Sequence, residues 1–127
     1  MSGSVGRRLY ALLLLVALYG GSVHSGYGPH YAKNVMERVS RNRNMPIVGC
    51  MISSYRYPIG AWVYVWGHRT GVLLHCRVTD TSHPRDVERH KRTGRIAELG
   101  WANTKALCGR TDERVIDCPI TVISLGE

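Results

Sequence analysis

The sequence predicts a single, mainly β domain with one or two short helices, and three observations carry that prediction. Ala61-Trp62-Val63-Tyr64-Val65-Trp66 and Val72 to Thr79 are β-branched and aromatic runs. They flank the Gly-bounded segment Gly67-His68-Arg69-Thr70-Gly71, which is a hairpin signal. Helical periodicity, by contrast, is confined to two short stretches. A length of 127 residues, 20% charged and 44% apolar, suits one folded domain and excludes disorder along the whole chain.

The first element reads as an export leader. Arg7 and Arg8 form a positive start, Leu9 to Tyr19 an apolar stretch, and Val23-His24-Ser25 a tolerated cleavage sequence. The cut is expected after Ser25, which makes residues 1–25 a signal peptide and 26–127 the exported domain, secreted or held in the cell wall or periplasm. The apolar stretch is about half of the roughly 20 residues a spanning helix needs, which excludes a multi-pass membrane protein. Membrane contact is expected only through an uncleaved leader. The first cysteine is Cys50, so no acceptor for a lipid anchor lies near the cut.

Beyond the leader, Ala32, Val35, Met36 and Val39 fall at helical spacing and predict a short amphipathic helix. Ile47 to Ser54 is a strand candidate ahead of the hairpin. His83 to Arg95 is polar and charged and reads as a long exposed loop, which in a compact domain is more often functional than accidental. Trp101, Ala102, Lys105 and Ala106 predict a second helix opened by Gly100, and Ile120 to Leu125 a final strand with Pro119 at its start.

All four cysteines follow the leader, and an even number in an exported chain predicts two disulfides. Three pairings are possible, and sequence cannot choose among them. The preferred set joins Cys50 to Cys76 and Cys108 to Cys118, the second closing the polar loop Gly109 to Asp117. No Cys-x-x-Cys pair exists, and His30, His68, His75, His83 and His90 are scattered, so neither a metal nor another cofactor is expected.

Two carboxyl groups stand out. Asp80 follows an apolar strand, where partial burial raises a carboxyl pKa toward the range a general acid requires. Glu98 sits among Ile96, Ala97 and Leu99. Each has a plainer reading, as a loop-amide acceptor or an exposed acid between core residues. Trp62, Trp66 and Trp101 with Tyr55, Tyr57 and Tyr64 could stack on sugar rings, although strand alternation puts Trp62, Tyr64 and Trp66 on one face, which core filling explains equally well. No Gly-x-Ser-x-Gly or Walker-type loop occurs. The net charge is +8, and Arg85, Arg89, Lys91, Arg92 and Arg95 cluster against only Asp86 and Glu88. Such a cluster is a solvated face or attracts anionic wall polymers; without a recognition-helix or zinc-finger pattern, nucleic acid is not expected.

An ordered set of short segments resembles a known family. Gly26-Tyr27-Gly28 with Tyr31, Tyr57-Pro58-Ile59-Gly60-Ala61, Arg77-Val78-Thr79-Asp80, and Gly94-Arg95-Ile96-Ala97-Glu98-Leu99 with Ala106-Leu107 follow the order of the rare lipoprotein A domain. More distantly they resemble the first domain of expansins and the barwin proteins. The resemblance implies a six-stranded double-psi β-barrel acting on cell-wall polysaccharide, peptidoglycan above all, as a monomer. It places Asp80 at the family's catalytic Asp and Glu98 where the family usually has a second Asp. Thr81-Ser82-His83 replaces the usual Arg-Gly-Pro, and Ser53-Ser54-Tyr55 stands where bacterial enzymes have a His, leaving His83 or His75 to substitute.

The expected activity is lytic transglycosylase cleavage. Asp80 would protonate the glycosidic oxygen and then serve as base, Glu98 would support it, and Tyr55, Trp62 and His83 would contact substrate. The alternatives are a non-catalytic, expansin-like wall-binding or wall-loosening module and a basic protein that binds an anionic polymer.

Overall fold

A computed structural model of the protein describes residues 3–109 and 117–126. The chain runs α1 (Gly3–Tyr19), β1 (Gly21–Gly28), α2 (Val35–Asn42), β2 (Met51–Ser53), β3 (Trp62–Gly67), β4 (Leu73–Asp80), α3 (Pro84–Thr93), β5 (Glu98–Leu99), α4 (Trp101–Cys108) and β6 (Cys118–Leu125). The strands form one curled mixed sheet, a half-barrel in the order β1-β6-β3-β4-β2-β5. Among the strand pairs of the described residues only β2–β4 is parallel, and the isolated bridges Tyr27↔Arg95 and His30↔Leu99 are parallel too.

The curl brings the sheet's two edges together. Tyr27 N–H donates to Gly94 O and Ile96 N–H to Tyr27 O, at 2.8 and 2.9 Å. Leu99 N–H then donates to Pro29 O and Tyr31 N–H to Leu99 O, at 2.7 and 2.8 Å. The segment leaving β1 is thereby stitched to the segment around β5.

Strand alternation builds the core. Val63 and Val65 of β3, Cys76 and Val78 of β4, Ile120 and Val122 of β6, and Ile52 and Leu99 from β2 and β5 all face inward. Each fully buried aliphatic side chain of this kind contributes about 2 kcal/mol by leaving water. The α4 helix closes the core with Leu107, and Gly67 lets the β3 backbone approach it, since a Cβ there would collide with Leu107 O.

A smaller cluster lies on the outer face, where Leu9 and Leu12 of α1 pack with Leu73 and Ile123 against Tyr64, Trp66 and Leu125. Gly20 and Gly21, at φ 91° and 121°, make the turn from α1 into β1. A Cβ on Gly21 would also strike Ser124 O of β6. β1 pairs with β6 from Gly21↔Leu125 to Gly28↔Cys118, straight through the expected cut after Ser25. Among the described residues, no helix is long and apolar enough to cross a membrane.

The disulfides are Cys50–Cys76 and Cys108–Cys118. The first ties the approach to β2 onto β4, and the second ties the end of α4 to the start of β6. Most of the polar loop that the second one closes, residues 110–116, lies outside the described residues.

Three expectations about elements are corrected. Among the described residues there are four helices where one or two were expected, and His83 to Arg95 is not a loop, since Pro84–Thr93 forms α3. His83 caps it by accepting from Arg85 N–H, Pro84 occupies the first turn, and Gly94 closes it in the left-handed region. Asp86–Arg89 and Glu88–Lys91 pair one turn apart, so the charge that reads as loop is helix-surface charge. The strand expected from Ile47 to Ser54 is shorter, Met51–Ser53. The Asn103 side chain of α4 takes the approach instead, donating to Gly49 O at 2.6 Å and accepting from Met51 N–H at 3.3 Å.

Candidate active site

Three strands set a row of polar side chains beside the seam. Ile52 pairs with Val78 on one side and Leu99 on the other, and all three face the core. The next residue, Ser53, therefore points to the opposite face, as does its partner Glu98. On the β4 side, a register shift between Ile52 and Ser53 skips Thr79 and pairs Ser53 with Asp80. That bulge turns the Asp80 carboxyl away from the core and into line with Ser53 and Glu98. Asp80, Ser53 and Glu98 thus share one face, with about 10 Å between the outer Cα atoms, two strand spacings.

Neighbouring elements engage Asp80 at both oxygens. Tyr31, placed by the seam, donates its hydroxyl to Oδ2 at 2.7 Å. Arg43, the C-cap of α2, donates Nη2 to Oδ1 at 2.8 Å. Burial pushes the Tyr31 hydroxyl pKa well above its ordinary value, with the two carboxyl groups adding to it, so the phenol remains a donor. Ser53 Oγ, at the centre of the row, is buried beside the Tyr31 hydroxyl, close enough to hold the phenol pKa down somewhat, but no hydrogen bond of good geometry reaches it. It shares that state with Glu37 Oε2, the Tyr57 hydroxyl and Trp66 Nε1 among the described residues, and what sets it apart is its place between two carboxyl groups, where it offers a bonding position.

Glu98 has different surroundings. Burial raises its carboxyl pKa above the usual range, and the nearby Asp80 charge raises it further. Its neighbour is His90 of α3, with Nε2 at 3.9 Å from Oε1, beyond hydrogen-bond reach. Burial lowers the His90 pKa, with the Arg89 charge acting in the same direction. Both shifts oppose charging of the pair, and at 3.9 Å the contact is not a hydrogen bond. His90 Nδ1 lies 3.2 Å from Ser82 Oγ, and its ring is 6.4 Å from that of Tyr55.

The sequence-derived candidates fall into two places. Asp80 and Glu98 lie in this row, and Tyr55 lies nearby, its ring 6.4 Å from that of His90. Trp62 lies on the outer face of β3, opposite Arg77, whose guanidinium carbon is 5.7 Å from the indole centroid, and 41% of Trp62 is exposed. It belongs to an aromatic band in which His75 lies 4.8 Å from Trp62 and stacks on Tyr64 at 4.4 Å. Trp62, Tyr64 and Trp66 share a face as alternation requires, but the core face of β3 belongs to Val63 and Val65. His83 is spent on capping α3.

Arg43, Ser53 and His90 are site residues that sequence reasoning missed, and Tyr31 was noticed only within the family pattern. A signal existed for His90, three residues after Val87 and hence on the same helix face, but the charge around it concealed the helix. Arg43 carried none. Among the described residues, no three His, Cys, Asp or Glu side chains gather as a metal ion would need. No family model matches the chain, and no curated protein matches it. Chemically, the row offers two carboxyl groups in unlike environments, the usual basis for dividing acid and charge-stabilising roles.

Proposed function

We propose that this chain is an exported, rare lipoprotein A-like double-psi β-barrel that acts as a monomer on peptidoglycan and cleaves its glycan strands as a lytic transglycosylase. The observation that carries the reading is the row Asp80–Ser53–Glu98, in which one carboxyl is ion-paired and the other is pushed toward its protonated form. The roles divide accordingly, and differently from the order expected of the sequence. Glu98 donates its proton to the glycosidic oxygen as the C–O bond breaks. Asp80 faces the sugar as the negative charge that stabilises the oxocarbenium-like transition state. The 6-hydroxyl of the same muramic acid residue then attacks its own anomeric carbon, and the Glu98 carboxylate takes up the hydroxyl proton. That closes the 1,6-anhydro ring and regenerates the acid, with no water consumed. Two disulfides, which form and persist in oxidising compartments, agree with export.

A second reading, the non-catalytic expansin-like module, has one observation in its favour. Both Asp80 oxygens already hold protein donors, Arg43 and Tyr31. Digestion of purified peptidoglycan, with mass analysis of the products, decides between the two. Anhydro-muropeptides support cleavage, whereas wall binding without them under any condition gives the wall-loosening reading its place.

A further inference from the structure

The α3 helix sorts its charge by face. At about 100° per residue, Arg85, Arg89 and Arg92 fall within roughly 60° of one another, and His90, which α3 buries, lies on the other side. All three arginines are exposed. With a rise of about 1.5 Å per residue they make a ridge about 10 Å long. The acids of α3 do not balance it. Asp86 engages Arg89 at 3.0 Å and Glu88 lies 3.6 Å from Lys91. The Arg85 and Arg92 side chains make no hydrogen bond or ion pair among the described residues. Arg95 is no part of the ridge, because its guanidinium is forked on Asp117, at 3.0 Å to each oxygen. The ridge is held in a fixed helix, capped by His83 and closed by Gly94. It points away from the row, since His90 on the opposite side is the residue that faces Glu98.

We propose that the Arg85–Arg89–Arg92 ridge is a second binding site, separate from the row, for a polyol-phosphate polymer of the cell wall. It anchors the protein while the row engages glycan. A guanidinium fork matches the oxygens of a phosphate two-pronged, and two of the three forks stand uncommitted. The arginines recur about once per helical turn, roughly every 5 Å, so the fitting ligand carries an anion on every repeat unit. A phosphodiester-linked polyol does so, whereas a chain charged at long intervals meets one arginine at a time. Such a polymer is a flexible single chain and lies along a convex helix without needing a groove. The proposal rests on the wall-active reading for the place where the polymer is met, and it uses neither Asp80 nor Glu98.

The test measures binding of poly(glycerol phosphate) to the full chain by calorimetry. Salt is set at about 0.01 M and then about 0.15 M, which shortens the reach of charge from about 30 to about 8 Å and should weaken binding. At low salt Arg85→Gln/Arg92→Gln should lose about tenfold in affinity, two exposed contacts at about threefold each. Arg38→Gln/Arg41→Gln removes the same charge from the exposed side of α2 and should lose no more than about twofold. Melting curves verify that both double variants fold. Equal losses in the two variants, or none in the ridge variant, overturn the proposal. Retention of a duplex DNA oligomer by a protein that does not hold the polymer also overturns it, in favour of nucleic acid. Ridge-dependent polymer binding by a protein that releases no anhydro-muropeptides upholds the ridge and removes the cleavage reading. Release of those products without polymer binding does the reverse.

Discussion

The two halves of β4 make different uses of the same strand. In its first half, Leu73, His75 and Arg77 face outward into an aromatic and apolar band with Trp62, Tyr64 and Trp66, and α1 covers part of that band. Its last residue, Asp80, stands after a bulge and joins the polar row with Ser53 and Glu98. In the band the contacts are between rings, as His75 stacks on Tyr64, and the polar atom left buried without a partner is the neutral Trp66 Nε1. In the row, charges are paired at the rim while a buried hydroxyl and a raised carboxyl pKa are left uncompensated. The contrast teaches that aromatic content alone does not locate chemistry. Unbalanced polar groups, held there by a register shift, are the more informative sign.

The largest break of this comparison is at Glu98. Loss of a general acid costs about 100- to 10,000-fold in rate, so Glu98→Gln should fold, bind wall and release almost no anhydro product. Asp80→Asn, which keeps a hydrogen-bonding partner for Tyr31, should cost less, about 10- to 100-fold if charge stabilisation is its role. The reverse order of the two losses would restore the acid to Asp80.

Next comes the strand pairing beneath the row. Replacing both Cys50 and Cys76 with Ala removes the cross-link between β2 and β4 and should cost about 3 kcal/mol, read from denaturant midpoints. Activity should fall together with stability, since Ser53 and Asp80 align only through that pairing. An active protein of unchanged midpoint would show that the row is held by other means.

Smaller effects sharpen the assignment. Tyr31→Phe removes one hydrogen bond to Asp80 and should lower the rate about fivefold, close to 1 kcal/mol. The pH dependence of stability separates Glu98 from His90. The raised Glu98 pKa means the folded protein holds that proton more tightly than the unfolded chain does. Its contribution is therefore full below the ordinary value of 4.5 and is lost as pH rises through the raised one. The lowered His90 pKa acts in the opposite sense: its contribution is present above the ordinary value of 6.5 and is lost as pH falls through the lowered one. Melting temperatures across pH should show Glu98→Gln gaining on the unmodified protein as pH rises, and His90→Asn gaining on it as pH falls. The smallest effect belongs to the band. Trp62→Ala, on the far face of β3, should change the cleavage rate by no more than about twofold, as substitutions away from special features do.

Much of the sheet was legible because period-2 patterning is local. Val63 and Val65 alternate with Trp62, Tyr64 and Trp66 whatever the rest of the chain does, and the hairpin follows from Gly67 to Gly71. Which face is the core was not legible, because large rings fill a core as readily as they coat an outer face. The answer came from β6 and α1, which are distant in sequence. The α3 helix escaped because its charged residues pair with one another along its surface and hide one buried face. In the site, Asp80 and Glu98 were recognisable as acids in apolar surroundings. Their alignment depends on a bulge, and Arg43 reaches Asp80 from 37 residues earlier in the chain, which no spacing pattern encodes.

The continuous ladder between β1 and β6 has a consequence for timing. A peptidase must draw its target into an extended, unpaired strand, and Ser25 is paired with Thr121 through the backbone and bonded to it at 2.8 Å through the side chain. A cut after Ser25 therefore has to come before the last strand arrives, while the chain is still crossing or has just crossed. It also leaves only Gly26 to Gly28 to hold that edge. If residues 1–25 act as a leader, a molecule that zips first is committed to keeping them, with α1 folded down on the outer band. Under the proposed export, folding and processing would then be competitors, and the N-terminal residue of the product would record which of them was faster.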